Sequence, residues 1–157
     1  MKELFLTILI GFTSGFLLAQ ESVPETFFGE WTGEGTLFGN DAQFEMKWEK
    51  VLNGQFIRLS FENRFSNGGF SMTAHGYYKL NEDGTFTGQW FDSRGVSFPL
   101  KGVFTSTQLT TEWEHSDVEK GRTEYEVLEQ GVIQVTDFVF RDGSYQKFAE
   151  ATYQLKK

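Results

Sequence analysis

The sequence predicts an all-β protein, a single domain built as an up-and-down barrel of about ten antiparallel strands. Three observations lead to this fold class. Glycine-containing turn signals recur about every ten residues after position 28, apolar and polar side chains alternate between them, and no stretch after residue 20 has a helical period. A period of two directs alternate side chains to opposite faces of a strand, so each strand has one buried face and one wet face.

Ten runs follow this pattern, and turn signals such as Asp83-Gly84 separate them. Asp-Gly and Asn-Gly favour the tight turns of β-hairpins, because both residues accept a positive φ. The second run is representative, since Phe44, Met46 and Trp48 share one face and charged residues occupy the other. The predicted strands are 29–38, 42–51, 55–65, 69–80, 85–92, 95–104, 107–115, 120–129, 131–140 and 143–155.

Closure into a barrel removes the exposed edges that a flat ten-stranded sheet would leave. A two-sheet sandwich is the main alternative, and the spacing of the runs does not separate the two. Pro99 lies in the middle of the sixth run. Because proline cannot donate to a strand ladder, this residue predicts an edge position or a bulge.

The first run begins with FGEWTGEGT at residues 28–36, which is as rich in glycine as a phosphate-binding loop. Such a loop lies between a strand and a helix and is followed by Lys and Ser or Thr, and none of these follows here. Trp31, Gly33 and Gly35 instead share one face of a strand. Glycine on that face leaves room for a close neighbour or a sharp bend of the wall. We therefore expect Trp31 inside the barrel, with a gap beside it where a ligand would lie.

The barrel interior is either filled by side chains or left partly hollow. Ten strands enclose more space than eight, and eight are just filled by their own side chains. The chain has 18 Phe, 4 Trp and 5 Tyr, enough either to fill the interior or to line an apolar ligand pocket. By inward parity and aromatic character, the predicted ligand-binding residues are Trp31, Trp48, Trp90 and Trp113, with Asp92 or His115 as a polar handle.

Sequence signals for catalysis or metal binding are weak. Asp92-Ser93-Arg94 follows the fifth strand and could hold a ligand at the barrel mouth. The favoured interpretation is a hairpin turn in which Asp92 accepts local backbone hydrogen bonds. With two histidines and no cysteine, the chain lacks the convergent ligands of a zinc site. No catalytic residue and no metal site are predicted, and the acidic tract from Glu112 to Glu129 is expected to be a solvated face.

Residues 1–20 match a secretory signal peptide. Lys2 precedes an apolar run from Leu4 to Leu18, and Ala19 is a small residue suited to cleavage. The run is shorter than the roughly 20 residues of a spanning helix. We expect an exported protein, periplasmic or extracellular, whose domain comprises residues 21–157. The net charge stays at −8 without the leader, which argues against nucleic-acid binding because phosphate contacts need basic side chains.

Five segments occur in an order that resembles a bacterial family, domain of unknown function 1579. They are FGEWTGEGT, NGQFIRLSF at 53–61, HGYYKL at 75–80, GQWFDSRG at 88–95 and LKGVF at 100–104. The resemblance covers residues 27–115 well and the C-terminal strands loosely. It implies a lipocalin-like fold, and it implies no activity because the function of that family is unassigned.

The Gly-x-Trp-x-Gly-x-Gly pattern of residues 29–35 also resembles, more distantly, the opening of nitrobindin-like barrels. That resemblance implies ten strands and a haem held by a histidine of the last strand. The last strand here, YQKFAEATYQL, has no histidine, so no cofactor is predicted and haem is not expected. In the haem-binding alternative, His115 would serve as the substitute ligand, because it has inward parity near a strand end.

Three functional hypotheses follow from the sequence. The leading one is a barrel that binds a small, mostly apolar ligand without covalent chemistry. The second is a nitrobindin-like haem barrel with enzymatic or sensing activity. The third is a filled barrel that acts as an envelope interaction module, which requires a packed interior and a contiguous apolar patch outside.

Overall fold

The computed structural model describes residues 25–115 and 119–157, so the predicted signal peptide lies outside the described residues. A short 3-10 helix, Glu25–Phe27, precedes ten strands. The strands are β1 Gly29–Leu37, β2 Asn40–Val51, β3 Phe56–Phe65, β4 Ser71–Leu80, β5 Thr85–Asp92, β6 Ser97–Phe104, β7 Gln108–His115, β8 Glu119–Glu129, β9 Val132–Arg141 and β10 Ser144–Leu155. Within these ranges, no helix has the length and apolar character needed to cross a membrane.

The ten strands form one closed antiparallel barrel with up-and-down order. Each strand pairs with its neighbours in sequence, and β1 pairs with β10 to complete the ring. The predicted fold class is therefore confirmed, and the sandwich alternative is excluded. Every predicted strand end lies within about two residues of the observed one, because alternation and turn chemistry are local properties that tertiary contacts do not override here.

The turns have the backbone geometry that their residues predict. In the β9–β10 turn, φ is 52° at Asp142 and 80° at Gly143. Two successive positive φ values are the mark of a type I′ turn, whose twist matches that of the flanking strands. The chain therefore reverses in the two residues between the strands, and sequential strands become barrel neighbours.

The glycines of β1 make room for close neighbours, as their pattern predicted. A Cβ atom at Gly33 would lie 2.8 Å from the ring of Tyr153, which faces it from β10. A Cβ atom at Gly35 would collide with the backbone at Glu150. The space that Gly33 leaves beside Trp31 is thus occupied by Tyr153, and the gap that the sequence suggested for a ligand is filled by protein.

One end of the barrel, here called the base, is packed solid. It carries the start of β1, the end of β10 and the 3-10 helix, whose Phe27 is fully buried. Phe27 accepts a 3.0 Å hydrogen bond from the Trp31 indole on its carbonyl oxygen and makes edge contacts with Trp48 and Phe104. The opposite end, here called the mouth, carries the β1–β2, β3–β4, β5–β6, β7–β8 and β9–β10 connections.

Pro99 is accommodated without an edge strand and without a bulge at its position. Strand β6 has β5 on one side and β7 on the other. The β6–β7 register begins at Leu100 and Trp113, so Pro99 lies one residue beyond that ladder. Register shifts occur instead in β8 and β10, between Val127 and Glu129 and between Lys147 and Ala149. The missing N–H is tolerated because the ladder to β7 has already ended.

Candidate functional site

The mouth half of the barrel encloses a cavity of about 230 Å³. Aromatic rings form much of its wall, with the Phe61 and Trp90 ring centroids 5.8 Å apart and those of Phe98 and Trp113 5.4 Å apart. Further apolar lining comes from Leu37, Phe38, Phe70, Met72, Leu100, Val135, Val139 and Phe148. The barrel is therefore filled at its base and hollow at its mouth.

A row of polar side chains crosses this apolar wall. Thr111, Thr123 and Asp137 are register partners on β7, β8 and β9, so they lie side by side. The Thr123 hydroxyl donates a 2.6 Å hydrogen bond to Asp137 Oδ1, and the Trp113 indole donates to the Thr123 hydroxyl oxygen at 3.4 Å. These contacts fix the orientation of the Asp137 carboxyl group and of the Trp113 ring.

Asp137 is an acidic group placed deep inside the protein. Burial raises the pKa of Asp137 to about 6, and the hydrogen bond from Thr123 opposes that effect. Part of the side chain remains accessible because it borders the cavity. Among the described residues, Thr123 is its hydrogen-bond partner and no cation forms an ion pair with it. A buried carboxylate without a counter-charge is unfavourable for folding, so its position calls for an explanation.

Two other lining residues carry buried polar atoms. Asn63 Oδ1 has no hydrogen-bond partner, and Thr111 Oγ1 lies next to the phenol of Tyr78, which is the group it can pair with. Asn63 belongs to β3, which is five strands from β8 in either direction around the ring, so it faces the polar row across the cavity. Unpaired buried polar atoms are rare in folded proteins and often mark a place where a ligand or water completes the structure.

The rim of the cavity is held by an ionic cluster of Asp92, Arg94 and Glu119. The Arg94 guanidinium donates to Asp92 at 2.7 Å and to Glu119 at 3.0 Å, and it therefore connects the β5–β6 turn to the start of β8. Burial alone would raise the pKa of Asp92, but hydrogen bonds from the Arg94 guanidinium and backbone and from Trp90 outweigh it, so this pKa lies below its ordinary value. The expected hairpin turn is present and the Asp92–Arg94 pair lies at the mouth, while a ligand-holding role of that pair stays a prediction.

The structure divides the residues that the sequence suggested for ligand binding. Trp90 and Trp113 line the cavity. Trp31 and Trp48 are each 1% exposed and lie in the packed base, and neither lines the cavity. Parity identified all four as inward-facing, but parity does not report the height of a residue along the barrel.

The two residues suggested as polar contacts for a ligand, Asp92 and His115, lie near the mouth. Asp92 is occupied by Arg94 and Trp90, and its side chain is fully buried. His115 ends β7 half-buried, with its ring edge-on to Phe98 at 6.5 Å between centroids. The other histidine, His75, is exposed on the outer face of β4.

Sequence reasoning missed Asp137, the most unusual group in the cavity. The signal was available, because Asp137 has the same parity as Ile133, Val135 and Val139 in the run VIQVTDFVF. An acidic residue on the apolar side of a strand is informative, since buried charges are rare unless paired. Thr123 on β8 likewise has the parity of the buried Tyr125.

The described residues, 25–115 and 119–157, contain no group of three or more His, Cys, Asp or Glu side chains arranged to hold a metal ion. Several acidic residues on the outer face pair with basic neighbours. Glu112 contacts Lys101 at 3.2 Å and Glu124 contacts Arg122 at 2.8 Å. The buried inward positions of β10 are Ala149, which pairs with Asp137 on β9, and then Ala151 and Tyr153 towards the base.

Comparison with known proteins gives a structural match. Neither a protein-family model nor a curated protein sequence matches the chain. The crystal structure of Rv2717c from M. tuberculosis is similar to this barrel, with a TM-score of 0.67 and 12% sequence identity, over 84% of this chain and 94% of that chain. At this identity the similarity supports the barrel fold alone.

Proposed function

We propose that this barrel binds a small, mostly apolar ligand in its mouth cavity and does so without covalent chemistry. The observation that supports this proposal is the cavity itself, which is lined by aromatic rings and contains a few oriented polar groups. Ligand sites in proteins have this composition, with apolar walls for affinity and isolated polar groups for orientation. We also propose that residues 1–20 direct export of the protein.

The cavity volume limits the size of the ligand. A buried space of about 150 Å³ holds benzene, and by proportion 230 Å³ accommodates roughly nine or ten non-hydrogen atoms. Larger molecules would extend through the mouth into solvent. The hollow mouth half argues against the filled interaction module, which needs a packed interior throughout.

Binding of indole tests the proposal, because indole is a neutral aromatic molecule of suitable size. Isothermal titration calorimetry should show saturable binding to the whole protein. Val139→Phe places a larger side chain in the cavity, where Val139 is 7% exposed, and it should reduce the affinity at least tenfold. Val103→Phe makes the same change on the outer face, where Val103 is 46% exposed, and it should leave the affinity unchanged.

Absence of saturable indole binding would refute the proposal, as would equal effects of the two valine substitutions. Haem titration of the same protein tests the second hypothesis. A Soret band that appears on titration and is lost in His115→Ala would favour the haem barrel over the function proposed here.

A further inference from the structure

We propose that the ligand is a small organic cation, an amine or related nitrogen base whose protonated head group pairs with Asp137. This inference rests on the proposed function, because it specifies the chemistry of the ligand for the same cavity. It concerns the head group of the ligand, whereas the proposed function concerns its apolar body.

Asp137 supplies the first argument, because it is an acidic group without a counter-charge. Thr123 donates a hydrogen bond to one carboxylate oxygen, Oδ1. Among the described residues, none donates a hydrogen bond to the other oxygen or forms an ion pair with it. The side chain borders the cavity, so a ligand can reach it. A buried carboxylate is stabilised by a donor that carries positive charge, since hydrogen bonds between charged groups are the stronger ones.

Surrounding groups do not already provide that charge. Three phenols lie near Asp137, those of Tyr78, Tyr125 and Tyr153. Burial raises the pKa of each phenol, and the negative charge of Asp137 raises it further. All three phenols therefore remain neutral. Arg94 is engaged by two carboxylates at the rim. Across the cavity, Asn63 Oδ1 is an acceptor that lacks a donor.

An anionic ligand is disfavoured by the same geometry. It would meet the Asp137 charge at the depth of the cavity, and Arg141 lies at the rim, where it is exposed to solvent. A metal ion is disfavoured because a single carboxylate is too few ligands for the cations that prefer oxygen, and no cluster of three metal-binding side chains occurs in the described part of the chain. An organic cation needs only one carboxylate and an apolar environment for its body.

Aromatic faces provide a second, independent argument. Trp90, Trp113, Phe61 and Phe98 form the wall around the cavity. Aromatic rings carry negative charge on their faces, and they attract ammonium groups within about 6 Å, most strongly when the site is desolvated. A cavity that is lined by aromatic rings and contains a carboxylate thus favours a positive head group with an apolar body.

A matched series of ligands tests the inference on the intact protein. 2-Phenylethylamine and 2-phenylethanol have the same shape and about nine non-hydrogen atoms each, within the size limit of the cavity. Phenylacetate, with about ten non-hydrogen atoms, supplies the opposite charge within the same size limit. Near pH 8, calorimetry should show the amine binding at least tenfold more tightly than the alcohol, with the carboxylate weakest.

Asp137→Asn should abolish the preference for the amine over the alcohol. Asp142→Asn removes the same charge from an exposed turn and should keep the preference. Near pH 5 the preference of the wild-type protein should fall by roughly tenfold, because burial raises the pKa of Asp137 to about 6 and only about a tenth of the carboxyl groups are ionised there before the amine binds. The pH measurement on the wild-type protein keeps the inference testable if Asp137→Asn fails to fold. His115 is unchanged in Asp137→Asn, so a loss of the preference in that variant is attributable to the carboxyl group.

The outcomes separate this inference from the proposed function. Equal binding of amine and alcohol, or tighter binding of the carboxylate, would overturn the cation inference while the apolar site stands. A preference that survives in Asp137→Asn, or that is the same at pH 5 as at pH 8, would overturn the assignment to Asp137. Failure of the whole series and of indole would remove the proposed function as well.

Discussion

Replacing Asp137 by asparagine is expected to stabilise the ligand-free barrel at neutral and alkaline pH. The substitution keeps the shape of the side chain and an oxygen that accepts the hydrogen bond from Thr123. It removes a negative charge that the protein interior solvates poorly. A stabilising substitution at a polar, cavity-facing position is typical of a site where function opposes stability.

The magnitude follows from the difference between the folded and unfolded pKa values of Asp137. The pKa rises from an ordinary value of 3.8 to about 6 on folding, so the folded state holds more protons between these two values. The stability of the wild-type protein therefore falls as the pH rises from about 4 to about 6, and it stays low above that range. Two pKa units correspond to roughly 3 kcal/mol, which is an upper value because water in the cavity screens part of the charge.

Urea unfolding followed by tryptophan fluorescence measures this effect. At pH 8 the free energy of unfolding of Asp137→Asn should exceed that of the wild type by up to about 3 kcal/mol, and near pH 3.5 the difference should largely vanish. Asp142→Asn is the control, because Asp142 is exposed and asparagine tolerates its positive φ of 52°. An Asp137→Asn protein that is no more stable than wild type at pH 8, or whose gain does not depend on pH, would refute the reasoning.

Three further predictions concern the barrel framework. Gly33→Ala should destabilise the protein by about 1–3 kcal/mol in urea unfolding, because its new methyl group would overlap the Tyr153 ring. Gly69→Ala is the control, because the nearest neighbour of its methyl group would lie at 3.5 Å, and it should leave the urea midpoint unchanged. Asp92→Asn should lower the melting temperature at pH 7, and the difference should disappear near pH 2, because the lowered pKa of Asp92 means that the folded state favours its ionised form. Phe27→Ala should lower the free energy of unfolding by about 3–5 kcal/mol and lower the urea midpoint, because Phe27 is fully buried in the base. A loss below about 1 kcal/mol would contradict its contribution to the packing of the base.

Much of the fold could be read from residue order because it depends on local rules. Alternation identified the ten strands, and turn dipeptides such as Asp142-Gly143 identified the reversals. Short connections then left each strand to pair with its sequence neighbours. The glycine pattern around Trp31 correctly indicated a close neighbour, but the identity of that neighbour, Tyr153 on β10, depends on the closure of the ring.

The candidate site was predictable only in part. Parity placed Trp90 and Trp113 inside, and both line the cavity. The same parity placed Trp31 and Trp48 inside, and both are packed into the base. Periodicity gives the side of a strand on which a residue lies, whereas the boundary between packed and hollow halves depends on how side chains from different strands fill the same cross-section.

The sequence by itself determined the fold class, the strand positions and the inward-facing sets of residues, because these follow from the period of two and from turn chemistry. The tertiary structure decided where the barrel is hollow and which polar groups meet there. Thr111, Thr123 and Asp137 are separated by 12 and 14 positions in the chain, and they become neighbours only through the β7–β8 and β8–β9 registers. Asn63 joins them from across the barrel because closure places β3 opposite β8.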